Sequence, residues 1–327
     1  MIGSKKNLNM LDEQRFIDPY LPAIKNEDWQ YTNLKKYFCE DLNLQPFCSH
    51  NNSVFIKQLF KKRTDLLGQK NTLFFIDGVF EESISSHPKG LIIKKLSSRG
   101  NSVQSLYSNS AGDGFSVDNN DSYSGFDGFV KKTKLIELNA LLIDTPSIFH
   151  FDKHFKFPEP INIVYVQTNP SPLFNQARVL FFLEKNISVN IHEEVINLGS
   201  GRSVLNLISE TICLPGSSIN IYKTQNDATN SCLIRTSFFI QKKGSVVKCH
   251  FLSLNGKLIR NNFLANLIEE GADCSVLGTS FLSNSSHLDN FIKVSHLEKN
   301  CTSNQLFKSV YSGSSSGVFC GKIFVAK

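Results

Sequence analysis

Long apolar runs are missing from this sequence of 327 residues. No stretch approaches the roughly 18 consecutive apolar residues that a membrane-spanning helix requires. The N-terminus carries Lys5 and Lys6, but acidic Asp12 and Glu13 follow where a signal peptide would place its apolar stretch. We therefore predict a protein that spans no membrane and stays in the cytoplasm.

A concentrated basic patch is also missing. The 35 basic and 29 acidic residues give a formal net charge of +6, and the basic runs, such as Lys61-Lys62-Arg63, are short and lack interleaved aromatic residues. A nucleic-acid-binding surface needs clustered positive charge. The sequence therefore predicts no nucleic-acid partner, and its 41% hydrophobic residues allow a sizeable core.

Two sequence motifs of chemical sites are absent. The eight cysteines never form Cys-x-x-Cys, so no local zinc or redox-pair motif exists, and most cysteines are expected to be small buried hydrophobes. The glycine-rich P-loop followed by Lys and Ser or Thr is also missing, so ATP would have to be bound by a partner.

Four regions differ in composition. Apolar residues recur at helical spacing early in the chain, short strands follow, a stretch rich in Ser, Asn, Gly and Asp comes next, and short strands then dominate without convincing amphipathic helices. We predict a mostly helical N-terminal domain, a set of short strands, a flexible linker or loop, and a β core, at residues 1–70, 71–96, 97–125 and 126–327 respectively.

A repeat runs through the last region. Each unit begins with a turn residue suited to positive φ, and the turn residues are separated by 30, 28, 27 and 29 residues: Asn186, Gly216, Gly244, Gly271 and Asn300. A second strand lies within each unit, at 233–240, 258–267 and 288–294, and the first two of these strands share the text Leu-Ile-Arg.

A fixed period of this length, built from strands, is typical of a solenoid whose alternating Val, Ile, Leu and Cys residues point inward. A β-sandwich also consists of short strands. The regular spacing over five units favours a mainly β protein with a parallel β-helix.

Specific motifs then carry a family resemblance. Residues 27–34 read Glu-Asp-Trp-Gln-Tyr-Thr-Asn-Leu, His287-Leu288-Asp289 and His296 follow late in the chain, and residues 303–308 and 317–325 close the series. In this order the motifs resemble the SufB/SufD family of iron–sulfur cluster assembly scaffold proteins. The Trp-Tyr-Thr element favours SufD members, although Gln30 stands where a basic residue is usual.

The resemblance implies a right-handed parallel β-helix with a helical N-terminal domain. It also implies a non-catalytic scaffold subunit of the SUF machinery that pairs with SufB and the ATPase SufC, with an iron–sulfur cluster only at an interface with SufB. The motif residues that it marks as a candidate site are Trp29, Tyr31, Thr32, His287, Asp289, His296, Ser303, Gln305, Lys308, Gly321 and Lys322.

One departure concerns the C-terminal end. Family members usually continue past the Gly-Lys-Ile-x-Val strand into a helical region that contacts SufC, whereas this sequence stops at Lys327. The resemblance therefore implies a shortened chain whose SufC docking is in doubt, or a decayed remnant. We expect the strand at 322–325 to form an open edge through which the chain dimerises or aggregates.

Other chemical interpretations are weaker. His287 and His296 could ligate a metal, but a spacing of nine residues on a β coil does not bring two imidazoles together. Cys249, Cys274 and Cys301 each follow a repeat turn, and we interpret them as packed residues rather than reactive thiols. A β-helix carbohydrate-active enzyme would need clustered carboxylates, and the repeats offer only scattered ones: Asp227, Glu269, Glu270, Asp273 and Asp289.

Overall fold

The strands in the described part of this chain form two eight-stranded sheets that face each other. The computed structural model describes residues 17–38, 57, 61, 63, 70–95, 134–143, 146–156, 159–168, 173–198, 202–226 and 230–327. The strands of the first sheet are β1 (Thr72–Ile76), β2 (Val79–Glu81), β5 (Ile161–Gln167), β7 (Ser188–Asn197), β9 (Ser218–Asn226), β11 (Val246–Asn255), β13 (Asp273–Leu282) and β15 (Thr302–Tyr311). Those of the second are β3 (Leu91–Lys95), β4 (Ser147–Phe151), β6 (Leu173–Leu183), β8 (Ser203–Cys213), β10 (Ser231–Gln241), β12 (Leu258–Leu267), β14 (His287–His296) and β16 (Ser316–Val325).

The chain alternates between the sheets, so that one strand from each makes a coil. From β5 onward every pairing within a sheet is parallel, and six coils stack from β5–β6 to β15–β16. This confirms the predicted parallel β-helix, because a sandwich of hairpins would pair its strands antiparallel.

The predicted period is confirmed residue by residue in the first sheet. The register offsets between successive strands are 30, 28, 27 and 29 residues, from the pairs Ser188–Ser218, Ser218–Val246, Val246–Asp273 and Asp273–Thr302. The turn that precedes each strand has positive φ, between 58° and 72°, at Asn186, Gly216, Gly244, Gly271 and Asn300. Glycine and asparagine occupy this column because other side chains clash in the left-handed conformation.

The two Leu-Ile-Arg segments are not structurally equivalent. Leu258 pairs with Cys232, so the offset here is 26 residues and Arg260 lies opposite Ile234 rather than Arg235. A shift of one residue along a strand reverses the face on which each side chain lies. Arg235 therefore points into the solenoid, whereas Arg260 points out of it.

The main core lies between the two sheets and consists of the inward side chains of successive coils. Among them are Ile191, Ile221, Cys249 and Val276, which lie opposite one another in consecutive strands of the first sheet and are fully buried. The predicted inward stacking of aliphatic residues and cysteine is thus confirmed.

A second core lies on the outer face of the second sheet, where an N-terminal segment and helix α1 (Lys134–Leu142) cover it. The apolar residues of this core from the N-terminal segment and α1 are Ile17, Leu21, Trp29, Leu34, Phe38, Leu135 and Leu138. Strands β8 and β10 are consequently buried on both faces, and none of their residues is exposed.

Helix α1 corrects the expectation that amphipathic helices end before residue 126. Its two fully buried leucines, Leu135 and Leu138, are three residues apart on one face, and nine residues give too short a periodic pattern to recognise in the sequence. The described N-terminal segment contains three 3-10 helices of three residues each, Asp18–Tyr20, Glu27–Trp29 and Leu34–Lys36.

The segment 97–125 lies outside the described residues, and the predicted domain boundaries remain predictions. No helix among the described residues is long and apolar enough to cross a membrane. Strands β15 and β16 each form one edge of their sheet and expose apolar side chains, including Leu306, Phe319 and Ile323. Association through this coil also stays a prediction.

Candidate functional site

Five of the eleven predicted site residues meet on the outer face of the second sheet. Trp29 and Thr32 come from the N-terminal segment, His287 and Asp289 from β14, and Lys322 from β16. We call residues Glu27, Asp28, Trp29 and Thr32 the N-terminal clasp. The face that it contacts, the clasp face, consists of Arg260, His287, Asp289, Phe291 and Lys322.

Arg260 is the centre of the contact. Its guanidinium carbon lies 4.2 Å from the ring centroid of Trp29 and 5.3 Å from that of Phe291. Its Nη1 donates to the Asp289 carboxylate, and its Nη2 donates to the backbone oxygen of Asp28 at 2.7 Å. The residue is 1% exposed, so a charged side chain is buried with an ionic partner and an aromatic face.

Burial lowers the pKa of Arg260, and the neighbouring Asp289 carboxylate opposes that change. Arginine remains protonated in proteins, so the pair is ionic. An ion pair of this kind is costly to break because removal of one partner leaves an unpaired buried charge.

Thr32 connects His287 and Asp289. Its hydroxyl donates to the Asp289 carboxylate, and its Oγ1 lies 3.1 Å from His287 Nε2. Because the single hydroxyl proton is used on Asp289, Nε2–H of His287 is the donor to Thr32, and Nδ1 then accepts from the hydroxyl of Ser316 at 2.8 Å. Burial lowers the pKa of His287, which fits this neutral tautomer.

Lys322 closes the edge of the contact. Its Nζ lies 2.8 Å from Asp28 Oδ1 and 3.1 Å from Glu27 Oε1. These hydrogen bonds raise the pKa of Lys322 to about 12. The three side chains are partly or largely exposed, so the pairs contribute at most about 1 kcal/mol and chiefly fix the position of the segment.

The remaining predicted residues lie elsewhere. Tyr31 is 66% exposed, and Lys308 is also exposed. Two other sets meet in separate places: Nε2 of His296 lies 2.9 Å from Ser303 Oγ at a corner of the solenoid, and Gly321 faces Gln305 inside the last coil. A Cβ at Gly321 would lie 3.2 Å from Gln305 Oε1, so glycine makes room for that amide.

The two predicted histidines do not share a ligand. His287 and His296 stand at opposite ends of β14, which separates them by about 30 Å at the rise of a strand. Among the residues that the structure describes, no group of three or more His, Cys, Asp or Glu side chains could hold a metal ion. The cysteines at 213, 232, 249 and 274 are buried, and those at 301 and 320 are partly exposed.

The carboxylates weighed for a carbohydrate-active enzyme do not cluster in a groove. Asp289 is buried in its contact with Arg260, Glu270 pairs with Lys243 and Lys299 at an exposed corner, and Asp273 accepts from Thr302. Asp227 lies outside the described residues.

Three charged residues inside the solenoid were missed. Glu193 and Lys223 lie opposite each other on β7 and β9, with Nζ 2.5 Å from Oε2 and both side chains fully buried. Arg235 enters from β10. The alternation of each strand could have identified them, because Glu193 lies between the inward residues Ile191 and Val195.

The comparison with known families agrees with this topology. Residues 165–327 match the family model described as SUF system FeS cluster assembly, SufBD core domain. The match begins within β5 and extends through β16, and thus covers the six coils except the first four residues of β5, together with all of the clasp face. No curated protein matches the chain. Residues 165–327 are therefore similar to the SufBD core domain, and this match indicates involvement in SUF iron–sulfur cluster assembly.

Proposed function

We propose that this chain is a SufD-type scaffold subunit of the SUF machinery. In this proposal the chain pairs with SufB, and SufC binds and hydrolyses the ATP. The observation that carries the proposal is the clasp: the Trp-Tyr-Thr motif that resembles SufD members lies against the SufBD core at β12, β14 and β16. A scaffold role needs a rigid surface rather than a reactive group.

In this proposal the clasp holds the N-terminal segment in position and takes no part in chemistry. The Thr32 hydroxyl is engaged by Asp289 and His287, and Arg260 is held between Trp29 and Asp289, so neither group is available as a nucleophile or base. In this proposal the clasp holds the N-terminal segment in one place on the solenoid, and the combined surface is what the partner subunits bind.

The cluster is cargo in this scheme and not a resident cofactor. We propose that it forms at an interface with SufB in the cytoplasm, because the described residues of this chain supply no group of three metal-ligating side chains. The partner would then contribute ligands that the described residues of this chain do not supply.

Co-expression tests the proposal. The chain, tagged at its N-terminus, is expressed with SufB and SufC of the same organism, and the complex is isolated and sized by light scattering. We expect SufB and SufC to co-purify with the tagged chain. If neither associates at micromolar concentration while circular dichroism shows a folded β protein, the scaffold role is wrong.

A matched pair of variants tests the part played by the clasp. Trp29→Ala removes its buried aromatic contact, and Tyr31→Ala removes a neighbouring exposed ring from the same segment. We expect the first to weaken co-purification and the second to leave the clasp in place. If the unaltered chain and both variants form the complex equally well, the clasp contributes to folding alone and not to partner binding.

A further inference from the structure

Arg235 is a buried charged side chain that has no ion pair in direct contact among the described residues. It lies on β10, faces the interior together with Leu233, Ser237 and Phe239, and is 1% exposed. Its Nε and Nη2 atoms are both buried and have no hydrogen-bond partner among the described residues. Buried polar groups are hydrogen-bonded in the great majority of cases, so this guanidinium requires an explanation.

The interior charges do not balance. Glu193 attracts Arg235 electrostatically, but its carboxylate is in direct contact with Lys223, so the three interior charges leave one positive charge over. Burial lowers the pKa of Arg235, but arginine is not deprotonated in proteins. An unpaired buried charge is strongly unfavourable, and it is usually matched by a counter-charge.

The neighbouring groups cannot supply that counter-charge at physiological pH. Tyr165 and Cys249 both lie in the electrostatic field of Arg235. Burial raises the pKa of Cys249 to about 12 and raises that of Tyr165 well above its usual value. Both groups therefore stay neutral.

Unpartnered polar atoms surround the same place. Asn261 lies beside Arg235 on the next strand, and its Oδ1 has no partner. The hydroxyl of Tyr165 and Oε1 of Glu193 are also buried and have no hydrogen-bond partner within the described part of the chain. A polar region therefore crosses the apolar core from the first to the fourth coil.

We propose that the edge of Arg235 formed by Nε and Nη2 binds a small monovalent inorganic anion, of chloride size, inside the solenoid. These two N–H groups point the same way and form the fork with which arginine holds an anion through two parallel hydrogen bonds. The ligand is monovalent because the surplus is one positive charge, and it is small because the surrounding core is closely packed.

Crystallography with bromide tests the site directly. The full chain is crystallised with sodium bromide as the only halide, and anomalous scattering locates the ion. We expect a peak at the Nε–Nη2 edge of Arg235. Water at that edge, direct contact with the Glu193 carboxylate, or bromide at surface positions alone as an adventitious ion would each overturn the proposal.

Thermal unfolding gives an independent measurement. Bromide is exchanged for gluconate at constant ionic strength, and Tm is followed against bromide concentration. A ligand that binds the folded state alone should raise Tm by about 2–4 °C for each tenfold increase above its Kd. A Tm that does not respond to bromide contradicts the proposal.

Two arginine variants make the measurement specific. Arg235→Met should abolish the dependence on bromide, whereas Arg178→Met should keep it, because Arg178 lies on the outer face in contact with Glu210. Equal dependence in both variants would place the anion elsewhere. If Arg235→Met fails to fold, the anomalous map of the unaltered chain decides the question. This inference is independent of the scaffold role.

Discussion

The guanidinium of Arg260 stacks at 4.2 Å on the ring of Trp29, and this contact joins the first described segment of the chain to its fourth coil. Trp29 is 5% exposed and Arg260 is 1% exposed, so both residues lose water when the segment docks. The contact therefore combines apolar burial with a cation–π interaction, and it binds the segment more firmly than the exposed Lys322 pairs do.

Trp29→Ala should lower the free energy of unfolding by about 3–5 kcal/mol, because it empties a buried aromatic site and removes the cation–π contact. Tyr31→Ala, at a 66% exposed position in the same segment, should change it by less than about 0.5 kcal/mol. Urea denaturation of both variants provides the measurement. Similar losses would mean that the segment as a whole, and not the Trp29 contact, supplies the stability.

Removal of the Arg260 charge alone should lower the free energy of unfolding more than removal of the Arg260 and Asp289 charges together. Arg260→Met leaves the Asp289 carboxylate buried without its cation, and we expect a loss of about 3–5 kcal/mol. The double variant Arg260→Met with Asp289→Leu should recover part of that loss, since the pair is replaced by apolar side chains. A double-mutant cycle from denaturation curves measures the coupling, and additive losses would contradict the ion pair.

His287 should make stability depend on pH. Its folded pKa lies below the ordinary value of 6.5, so the unfolded chain binds the proton more readily. The contribution of neutral His287 to the free energy of unfolding is therefore complete above about pH 6.5, and it is lost as the pH falls through and below that value. The facing charges are Asp289, which raises the pKa of His287, and Arg260, which lowers it.

Thermal unfolding between pH 5 and 8 checks the sign. His287→Gln should reduce the loss of Tm on acidification, and His192→Gln, on the outer face of the first sheet, is the matched substitution. The pKa of His250 is also lowered by burial, so some dependence on pH should remain in the His287 variant. An unaltered pH profile in His287→Gln would show that this histidine does not carry the effect.

The solenoid could be predicted because its information is local and repeated. Each of the turns at Asn186, Gly216 and Gly244 needs a residue that tolerates positive φ, and the strand that follows alternates inward and outward residues. The steps between the turns are therefore the same numbers as the offsets of the ladder. Helix α1 lacked such repetition and was missed.

The clasp could be predicted only in part. A family resemblance marked Trp29, Thr32 and Asp289, but nothing local in the sequence connects them to Arg260. The orientation of Arg260 depends on an offset of 26 rather than 25 residues in the second sheet, and a slip of one residue would have turned it inward. Contacts between distant segments follow from the register of the whole stack, which single motifs do not report.

Alanine substitutions at two positions of the turn column should lower the free energy of unfolding by different amounts. Gly216 and Gly244 both have positive φ, so alanine is strained at each by about 1–2 kcal/mol. A Cβ at Gly216 would also lie 2.2 Å from Asn186 Oδ1, whereas a Cβ at Gly244 meets nothing within 4 Å. Gly216→Ala should therefore be less stable than Gly244→Ala by at least about 1 kcal/mol in chemical denaturation. Equal losses would show that the Asn186 side chain moves aside freely.

When the folded chain is alkylated, the buried thiols and the partly exposed thiols should react to different extents. Cys249 and Cys274 lie inside the solenoid, where burial raises their pKa values, that of Cys249 to about 12. Iodoacetamide reacts with exposed thiolates, so these two residues should remain unmodified at pH 8 while partly exposed Cys301 and Cys320 react. Mass spectrometry of peptides assigns each site, and alkylation in denaturant is the control in which all four should react. Modification of Cys249 at the rate of Cys320 in the folded chain would mean that reagent reaches the interior, and the closely packed core described here would then be wrong.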